Sequence, residues 1–223
     1  MTTQNTEDNS PLWRSRLRSS RAALTVAERS RHSLLMRARL FTWLANYRDA
    51  QRAAGLPAPT CIAGFWPMPE EPDLRPLLGQ WAEDPELTVA LPVVNAPGTP
   101  LSFHRWSPET PMISGAYGID IPANADPVIP DVVLVPTLGF TPLGDRLGYG
   151  AGFYDRTLAA LHTNGRPLVT IGIAWACGEM DDTYRPAPHD QRLDAIMTHE
   201  AWMPAAPGSD PTPPSRSLFF ARI

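Results

Sequence analysis

The residues best suited to chemistry lie in one stretch, Gly144–Arg156, which follows the buried-looking strand Asp131–Pro136. Its alternating glycines, Gly148, Gly150 and Gly152, lack Cβ atoms, so the backbone can turn sharply and approach a ligand closely. Backbone N–H groups in such a loop, together with the amino end of a following helix, form a site for anionic oxygens. Ligands of open α/β sheets bind beside the carboxyl ends of the strands, where this loop falls. The stretch therefore predicts a phosphate site.

Two charged residues extend this prediction. Arg146 precedes the glycines, where a guanidinium can clamp a phosphate through two parallel hydrogen bonds. Asp155 falls in the first turn of the predicted helix, and its carboxylate oxygens suit Mg²⁺. The same residues also fit a tight turn in which Asp155 only stabilises the helix start. The stretch matches neither a P-loop nor the dinucleotide-binding fingerprint, so both interpretations stay open at this point.

The composition excludes several kinds of chemistry. The chain has 223 residues and a net charge of −4, and all 19 basic residues are Arg. Without Lys there is no Schiff-base lysine, lysine general base or P-loop lysine. The acidic balance argues against a nucleic-acid partner, although the arginines of the first helix leave RNA binding as a minor alternative.

Apolar periodicity predicts the elements that position this stretch. Ser10 as N-cap and Pro11 at the first position predict a helix start, and Thr25 with Glu28 forms a capping box for a helix to about Arg52. Further helices are predicted from Asp73 to about Trp81 and over residues 151–161. Strands are predicted at Cys61–Phe65, Leu87–Leu91 (stopped by Pro92), Leu101–Trp106, Asp131–Pro136, Leu168–Trp175 and Ala195–Thr198. Residues 107–130 are rich in Pro and Gly and predict a surface excursion. Helices alternating with apolar strands indicate a mostly parallel sheet covered on both faces.

The domain organisation follows from the same pattern. Residues 1–10 predict a disordered tail, residues 11–203 a single α/β catalytic domain, and residues 204–223 a Pro-rich linker with a C-terminal tail. The N-terminus has no apolar signal region, and no run approaches ~18 apolar residues, so we expect a cytoplasmic protein without a membrane span. Cys61 and Cys177 lie in apolar runs and are expected to be buried free thiols.

Residues 144–155 resemble the signature of the 5-formyltetrahydrofolate cyclo-ligase family, Gly-x-Arg-Leu-Gly-x-Gly-x-Gly-[Tyr/Phe]-Tyr-Asp, at every fixed position. The resemblance extends over about residues 12–200. It includes Arg14, Trp66-Pro67 with Glu71, and His189-Asp190. It implies a three-layer α/β/α fold of the ribose-5-phosphate isomerase-like type. It also implies ATP-dependent conversion of 5-formyltetrahydrofolate to 5,10-methenyltetrahydrofolate, with release of ADP and phosphate.

The resemblance also implies roles for particular residues, together with small-molecule substrates and Mg²⁺. We expect a monomer or weak dimer. Catalysis is assigned to Arg146 and Tyr154, and metal binding to Asp155 and Asp190. The implied ATP contacts are Arg14, Arg146, Leu147, Gly148, Tyr149, Gly150, Ala151, Gly152, Phe153 and Tyr154. The implied folate contacts are Trp66, Glu71, Tyr149, Gly150, Ala151, Gly152 and Phe153, with Phe103 and Trp106 as further aromatic candidates.

Two departures from the family pattern keep alternatives open. Many members carry Lys where this chain has Ser10, and some carry Lys where it has Ala151. A catalytically impaired nucleotide-binding relative is therefore one alternative. A sugar-phosphate isomerase or acyl-CoA transferase of similar architecture is another, because fold does not determine function.

Overall fold

The computed structural model describes residues 9–163, 165–188 and 190–209. The α-helices of these ranges are α1 (Ser10–Ala22), α2 (Val26–Ala53), α3 (Arg75–Ala82) and α4 (Phe153–His162). Their strands are β1 (Cys61–Ala63), β2 (Thr88–Val93), β3 (Ser102–Trp106), β4 (Met112–Ser114), β5 (Asp120–Pro122), β6 (Pro127–Val128), β7 (Val132–Pro136), β8 (Gly139–Phe140), β9 (Arg146–Leu147), β10 (Val169–Ile173), β11 (Ala195–Met197) and β12 (Trp202–Met203). Short 3₁₀ turns occur at Ala116–Gly118 and Ala176–Gly178.

The central sheet has eight strands in the order β12-β11-β10-β7-β1-β2-β3-β6. Its middle is parallel from β11 through β10, β7 and β1 to β2. The outer strands β3, β6 and β12 run antiparallel to their neighbours. The predicted mostly parallel sheet is confirmed, and its antiparallel edges were not foreseen.

Helices cover both faces of this sheet. Because successive side chains of a strand point to opposite faces, Val132 and Leu134 of β7 join the core beneath α2 and α3. Val133 and Val135 point the other way, into the core that Leu158 of α4 completes. The predicted three-layer α/β/α architecture is therefore confirmed.

Local signals located most element boundaries to within a few residues. The capping box that begins α2 is present, with Thr25 Oγ1 accepting from the Glu28 amide and the Glu28 carboxylate accepting from the Thr25 amide. α1 begins at Ser10 itself, with Asn9 as N-cap, so the predicted Ser10 cap was wrong by one residue. Asp73 accepts from the Arg75 amide at the start of α3, although Leu74 occupies the N-cap position.

Two predictions about the chain between β1 and β7 were wrong. Pro92 lies inside β2 rather than ending it, because β1 pairs with β2 only as far as Ala90 and leaves that edge free beyond it. Proline lacks an N–H group and tolerates such an edge position. Residues 107–130 are not a plain excursion, since they contain the hairpin β4–β5 and the edge strand β6.

The part of the predicted C-terminal linker that the structure describes, residues 204–209, packs against α2. Trp43 Nε1 donates to the Pro207 carbonyl (3.0 Å), and Gly208 approaches the ring of Tyr47. Residues 1–8 and 210–223, and with them most of both predicted tails, lie outside the described residues. Cys61 is buried as expected, whereas Cys177 is exposed. No helix within the described ranges is long and apolar enough to span a membrane.

Candidate active site

The site is assembled at the carboxyl ends of the adjacent parallel strands β1 and β7. The chain leaves β1 toward Trp66 and Glu71, and it leaves β7 toward the glycine loop, residues 144–152. From β1 the sheet continues to β2 on one side and to β7 on the other, with α3 and α4 on opposite faces. Ligands of open α/β sheets bind in the crevice at such a switch point.

Helix α1 is held over the glycine loop by an apolar contact. Trp13 and Leu17, one turn apart, pack against Leu138 and Leu147 in a small separate cluster. This packing brings Arg14 to the loop, where its Nε donates to the Gly148 carbonyl at 3.0 Å. Leu147 is 2% exposed, so its side chain serves this core and only its backbone can face a nucleotide.

The glycine loop has the open backbone that the sequence predicted, although not at all three glycines. Gly150 (φ +102°) and Gly152 (φ +67°) adopt positive φ, whereas Gly148 does not. Gly152 is the N-cap of α4, which begins at Phe153 rather than at Ala151. In the described part of the chain, the backbone N–H groups of residues 150–152 donate no hydrogen bond. These free donors at a helix amino end suit anionic oxygens.

Two arginines stand beside these free donors. The Arg14 guanidinium would lie 3.5 Å from a Cβ placed on Gly150, and Arg156 Nη1 would lie 2.8 Å from one placed on Gly152. Arg156 also donates to the Ala151 carbonyl at 2.7 Å. The loop therefore combines backbone donors with flanking positive charge.

Arg146, the predicted phosphate clamp, is paired with Asp155, the predicted metal ligand. Arg146 Nη2 donates to Asp155 Oδ1, and only 4% of the Arg146 side chain is exposed. Arg146 Nε has no hydrogen-bond partner among the described residues. From the sequence we expected Arg146 to contact a phosphate and Asp155 to contact a metal ion, each independently. In the structure the two residues form an ion pair beneath Gly148.

The segment that carries Asp190 lies next to Asp155. The Gln191 amide donates to Asp155 Oδ1 at 3.1 Å, and Asp190 Oδ2 accepts from the Ala187 amide at 2.8 Å. His189 is not among the described residues. Within those residues no three His, Cys, Asp or Glu side chains gather into a metal-binding group. Mg²⁺ is often held by only one or two carboxylates with phosphate oxygens and water, so these two acids fit that ion.

A cleft of about 670 Å³ opens between the amino half of α2, the segment after β1 and the 3₁₀ turn at Ala116–Gly118. Trp66 and Glu71, the predicted folate contacts, both line it. Arg75 stacks over the Trp66 ring, with its Cζ 5.4 Å from the ring centroid. An aromatic face beside a carboxylate suits a flat heterocycle that carries N–H donors.

Tyr149 joins this cleft to the glycine loop. Its hydroxyl donates to Glu71 Oε1 and accepts from Nη1 of Arg21. Glu71 is 7% exposed, and burial raises the pKa of its carboxyl, while the hydrogen bonds from Tyr149 and from the Met68 amide act in the opposite direction. Tyr149, which the resemblance implies as a contact of both substrates, thus holds the acid that lines the cleft.

Tyr154, the predicted catalytic tyrosine, has a buried hydroxyl with no hydrogen-bond partner among the described residues. Burial is the first cause of its raised pKa, and the nearby Glu71 carboxylate adds to the rise. The group is therefore a neutral O–H donor at ordinary pH. An unpaired buried hydroxyl costs stability, which points to a ligand atom as its partner.

The remaining aromatic candidates differ in their burial and in their distance from the cleft. Phe103 is 3% exposed and belongs to the core on the α4 face, so it cannot stack on a ligand in the cleft. Trp106 is buried and meets Trp66 edge-on at 6.1 Å between centroids. The ring of Phe153 meets the exposed ring of Tyr117, in the 3₁₀ turn, edge-on with centroids 6.1 Å apart. The turn therefore reaches from the cleft to the start of α4.

Sequence reasoning missed the roles of Arg21, Arg156 and Tyr117 at this site. Arg21 continues the buried face of α1 after Trp13 and Leu17, at a four-residue spacing that was visible in the sequence. No sequence pattern pointed to Tyr117, because the hairpin that carries it was not predicted.

Comparisons with known proteins now decide the family. The model of the 5-formyltetrahydrofolate cyclo-ligase family matches residues 6–199. The chain belongs to this family. The resemblance expected from residues 144–155 is thereby confirmed, although the match does not test the role of any single residue.

Individual relatives agree with this assignment. A 5-formyltetrahydrofolate cyclo-ligase from Mycolicibacterium smegmatis is 29% identical over 167 residues, 70% of this chain and 78% of that enzyme. The enzyme of the same name from Haemophilus influenzae is 37% identical over 87 residues, which are 37% of this chain and only 46% of the relative. The match thus spans less than half of the Haemophilus enzyme.

Solved structures of the family share the fold. The structure of Aquifex aeolicus 5,10-methenyltetrahydrofolate synthetase superposes with a TM-score of 0.69 at 25% identity, covering 91% of this chain and 95% of that one. The synthetase from Mycoplasma pneumoniae has a TM-score of 0.59 at 22% identity over 86% and 99% of the two chains, a likeness of fold alone.

Proposed function

We propose that this protein catalyses the ATP-dependent cyclisation of 5-formyltetrahydrofolate to 5,10-methenyltetrahydrofolate, releasing ADP and phosphate. The observation that carries the proposal is the connection made by Tyr149. Its backbone belongs to the loop with free N–H donors, and its hydroxyl holds Glu71 in the cleft. A triphosphate on the loop and a folate ring in the cleft would meet at this residue.

The chemistry requires activation of a formamide oxygen, which is a poor leaving group. The formyl oxygen attacks the γ-phosphorus of ATP, and the bond from that phosphorus to the β–γ bridging oxygen breaks to release ADP. N10 then attacks the formyl carbon and loses its proton, and the carbon–oxygen bond to phosphate breaks. Such transfer needs positioning and charge neutralisation more than a protein nucleophile.

The residues of this chain supply those needs. The loop amides of residues 150–152, with Arg14 and Arg156 beside them, hold the phosphates. Arg146 stabilises the charge that develops on the transferred phosphoryl group, and the Tyr154 hydroxyl donates to the formyl or phosphoryl oxygen. Trp66 stacks on the pterin ring, and Glu71 accepts from its N–H groups.

Asp155 and Asp190 are the proposed holders of Mg²⁺. Their segments adjoin through the hydrogen bond from the Gln191 amide to Asp155, and the remaining ligands would be phosphate oxygens and water. Bound there, Mg²⁺ would neutralise charge on the ATP phosphates. The cytoplasmic location and the monomeric or weakly dimeric state stay predictions.

The proposed activity is tested by following the ultraviolet absorbance of methenyltetrahydrofolate in a mixture of protein, 5-formyltetrahydrofolate, Mg²⁺ and ATP. We expect an increase that requires ATP and that is lost in Asp155→Ala. A matched control is Asp126→Ala, because Asp126 pairs with Arg105 of β3, the strand next to the edge strand β6 and away from the glycine loop.

The outcomes separate the alternatives. ATP binding without product from a folded protein would favour a catalytically impaired nucleotide-binding relative. Equal loss in Asp126→Ala and Asp155→Ala would indicate general destabilisation and contradict a specific role of Asp155. An unchanged Mg²⁺ requirement in an active Asp155→Asn variant would remove Asp155 from the metal site.

A further inference from the structure

A buried arginine outside the family signature connects α1 to the proposed folate site. Arg21 is 4% exposed, and its Nη2 donates to the Thr137 carbonyl at the end of β7 (3.0 Å). Its Nη1 donates to the Tyr149 hydroxyl. A cation this deeply buried is costly unless its charge and its N–H groups are matched. Its hydrogen-bond partners in the described part of the chain are one carbonyl and one neutral hydroxyl, so its charge is left to be balanced by another group.

The carboxylate of Glu71 balances the charge of Arg21, and the Tyr149 hydroxyl bridges the two residues. A guanidinium has only donors, so the hydrogen bond between Arg21 and Tyr149 must run toward the phenol oxygen. The Tyr149 proton is then free to point in one other direction, toward Glu71 Oε1. The chain Arg21→Tyr149→Glu71 therefore has a fixed polarity, with a positive charge at one end and an acceptor at the other.

This polarity decides what Glu71 can offer a ligand. An ionised carboxylate with hydrogen bonds from Tyr149 and the Met68 amide still has unused lone pairs, and it has no proton to donate. Since Glu71 lines the cleft, these lone pairs can accept from a ligand there. A protonated Glu71 would instead carry an O–H group, which would compete with one of these two donors or point at the ligand as a donor. Only the ionised form suits a ring edge that presents N–H groups.

We propose, as an extension of the proposed function, that Arg21 is a positioning residue: it fixes Tyr149 as the donor to Glu71 and so keeps Glu71 an ionised acceptor for N–H groups of the folate ring. Arg21 does not touch the substrate. It acts through a chain of side chains drawn from α1, the glycine loop and the segment after β1.

The titratable groups around Glu71 differ from it in pKa, so the effect of Arg21 on Glu71 ionisation can be followed by varying the pH. Arg21 faces it from α1, and Tyr149 and Tyr154 face it from the loop and α4. Burial raises the pKa of both tyrosines, and partial desolvation raises the pKa of the exposed Cys177, which faces Arg21 from the 3₁₀ turn at Ala176–Gly178. Glu71 is the group of this set whose charged form Arg21 favours, while burial opposes it.

The test compares Arg21→Gln with wild type and with Arg166→Gln, an exposed arginine that pairs with Asp131 just before the amino end of β7. Steady-state turnover gives KM for 5-formyltetrahydrofolate and for ATP, and direct titration gives the folate dissociation constant without ATP. We expect Arg21→Gln to raise both folate constants about ten- to a hundredfold at neutral pH, as for loss of a charged hydrogen bond. KM for ATP and kcat should change less.

The dependence of folate affinity on pH tests whether Arg21 acts through the ionisation of Glu71. Removing a cation raises the pKa of Glu71, so folate affinity should recover with rising pH at a higher pH in Arg21→Gln than in wild type. Arg21→Lys keeps a cation and should restore most of the affinity and a profile close to that of wild type. A pH-independent loss spread equally over folate, ATP and kcat, or a Lys variant as weak as the Gln variant, would overturn the proposal.

Tyr149→Phe covers the case in which Arg21→Gln does not fold. It cuts the chain between Arg21 and Glu71 while leaving the Arg21 bond to Thr137 in place, and it should weaken folate binding with the same pH recovery. Tyr149→Phe with unchanged folate affinity would also overturn the proposal. Absence of turnover in wild type would instead refute the proposed function, which keeps the two failures distinct.

Discussion

Nη2 of Arg146 donates a hydrogen bond to Oδ1 of Asp155, nine residues further along the chain. The pair joins the short strand β9 to the first turn of α4 across the glycine loop. Each residue thereby orients the other toward the place where phosphates would lie. The proposed clamp and the proposed metal ligand are consequently one unit, and a change in either should disturb both.

Replacing Arg146 with Ala should lower kcat by roughly 10²- to 10³-fold, the usual effect of removing one donor to developing charge. The measurement is the ATP-dependent formation of methenyltetrahydrofolate, with Arg166→Ala as a control at an exposed site. Turnover near that of wild type in Arg146→Ala would remove Arg146 from the mechanism.

Tyr154→Phe should separate stability from activity. The hydroxyl is buried without a partner among the described residues, at a cost of about 1–3 kcal/mol, so its removal should leave the free energy of unfolding unchanged or raise it. Turnover should fall about 10- to 100-fold because a hydrogen bond to the charged reacting oxygens is lost. Urea unfolding and the product assay measure the two effects.

The control for Tyr154→Phe is Tyr47→Phe, on the α2 surface that packs against residues 204–209. It should leave turnover unchanged. A Tyr154→Phe variant that is less stable and fully active would mean that the hydroxyl has a structural partner and no part in the reaction.

Gly150→Ala should weaken ATP binding beyond its effect on stability. A left-handed backbone costs a residue with a Cβ about 1–2 kcal/mol, and Gly150 has φ +102°. Gly98 has φ +77° with open space around its missing Cβ, so Gly98→Ala imposes comparable strain away from the site. Urea unfolding should show similar losses in both variants.

ATP titration should then distinguish the two glycine variants. Gly98→Ala should bind ATP like wild type, and Gly150→Ala should bind it more weakly, because the loop amides must shift to relieve the strain. Equal ATP affinity in both variants would argue that this loop does not hold the phosphates.

The stability of the protein should decrease in mild acid through His199. Its ring stacks on His32 with centroids 3.6 Å apart, and burial, followed by His32, lowers its pKa from the ordinary 6.5. Glu200 opposes this shift, and Arg31 and Arg39 add to it. The unfolded chain therefore takes up a proton more readily than the folded protein as pH falls below about 6.5, which favours unfolding.

The free energy of unfolding, measured by urea titration at a series of pH values, should show this decrease in wild type. His199→Phe keeps a stacked ring that cannot titrate and should show a smaller decrease. His162→Gln, at an exposed position in the last turn of α4, should follow wild type. A His199→Phe profile identical to that of wild type would contradict the assignment.

The sequence alone determined the features that depend on neighbouring residues. The capping box at Thr25 and Glu28, the apolar strand β7 and the glycine loop after it were all readable, because each is specified within a few positions of the chain. The order of strand, loop and helix also placed the loop at the carboxyl edge of a parallel sheet. Family membership followed from the same local stretch.

Only the tertiary structure decided which distant side chains meet. Arg21 and Tyr149 are separated by 128 positions, and Tyr149 and Glu71 by 78. Their contact depends on how Trp13 and Leu17 seat α1 and on the parallel pairing of β1 with β7. It also depends on burial, which removes water as a competing partner and makes the direction of each hydrogen bond matter. Residue spacing specifies local backbone, whereas the packing of separate elements specifies which charges neutralise one another.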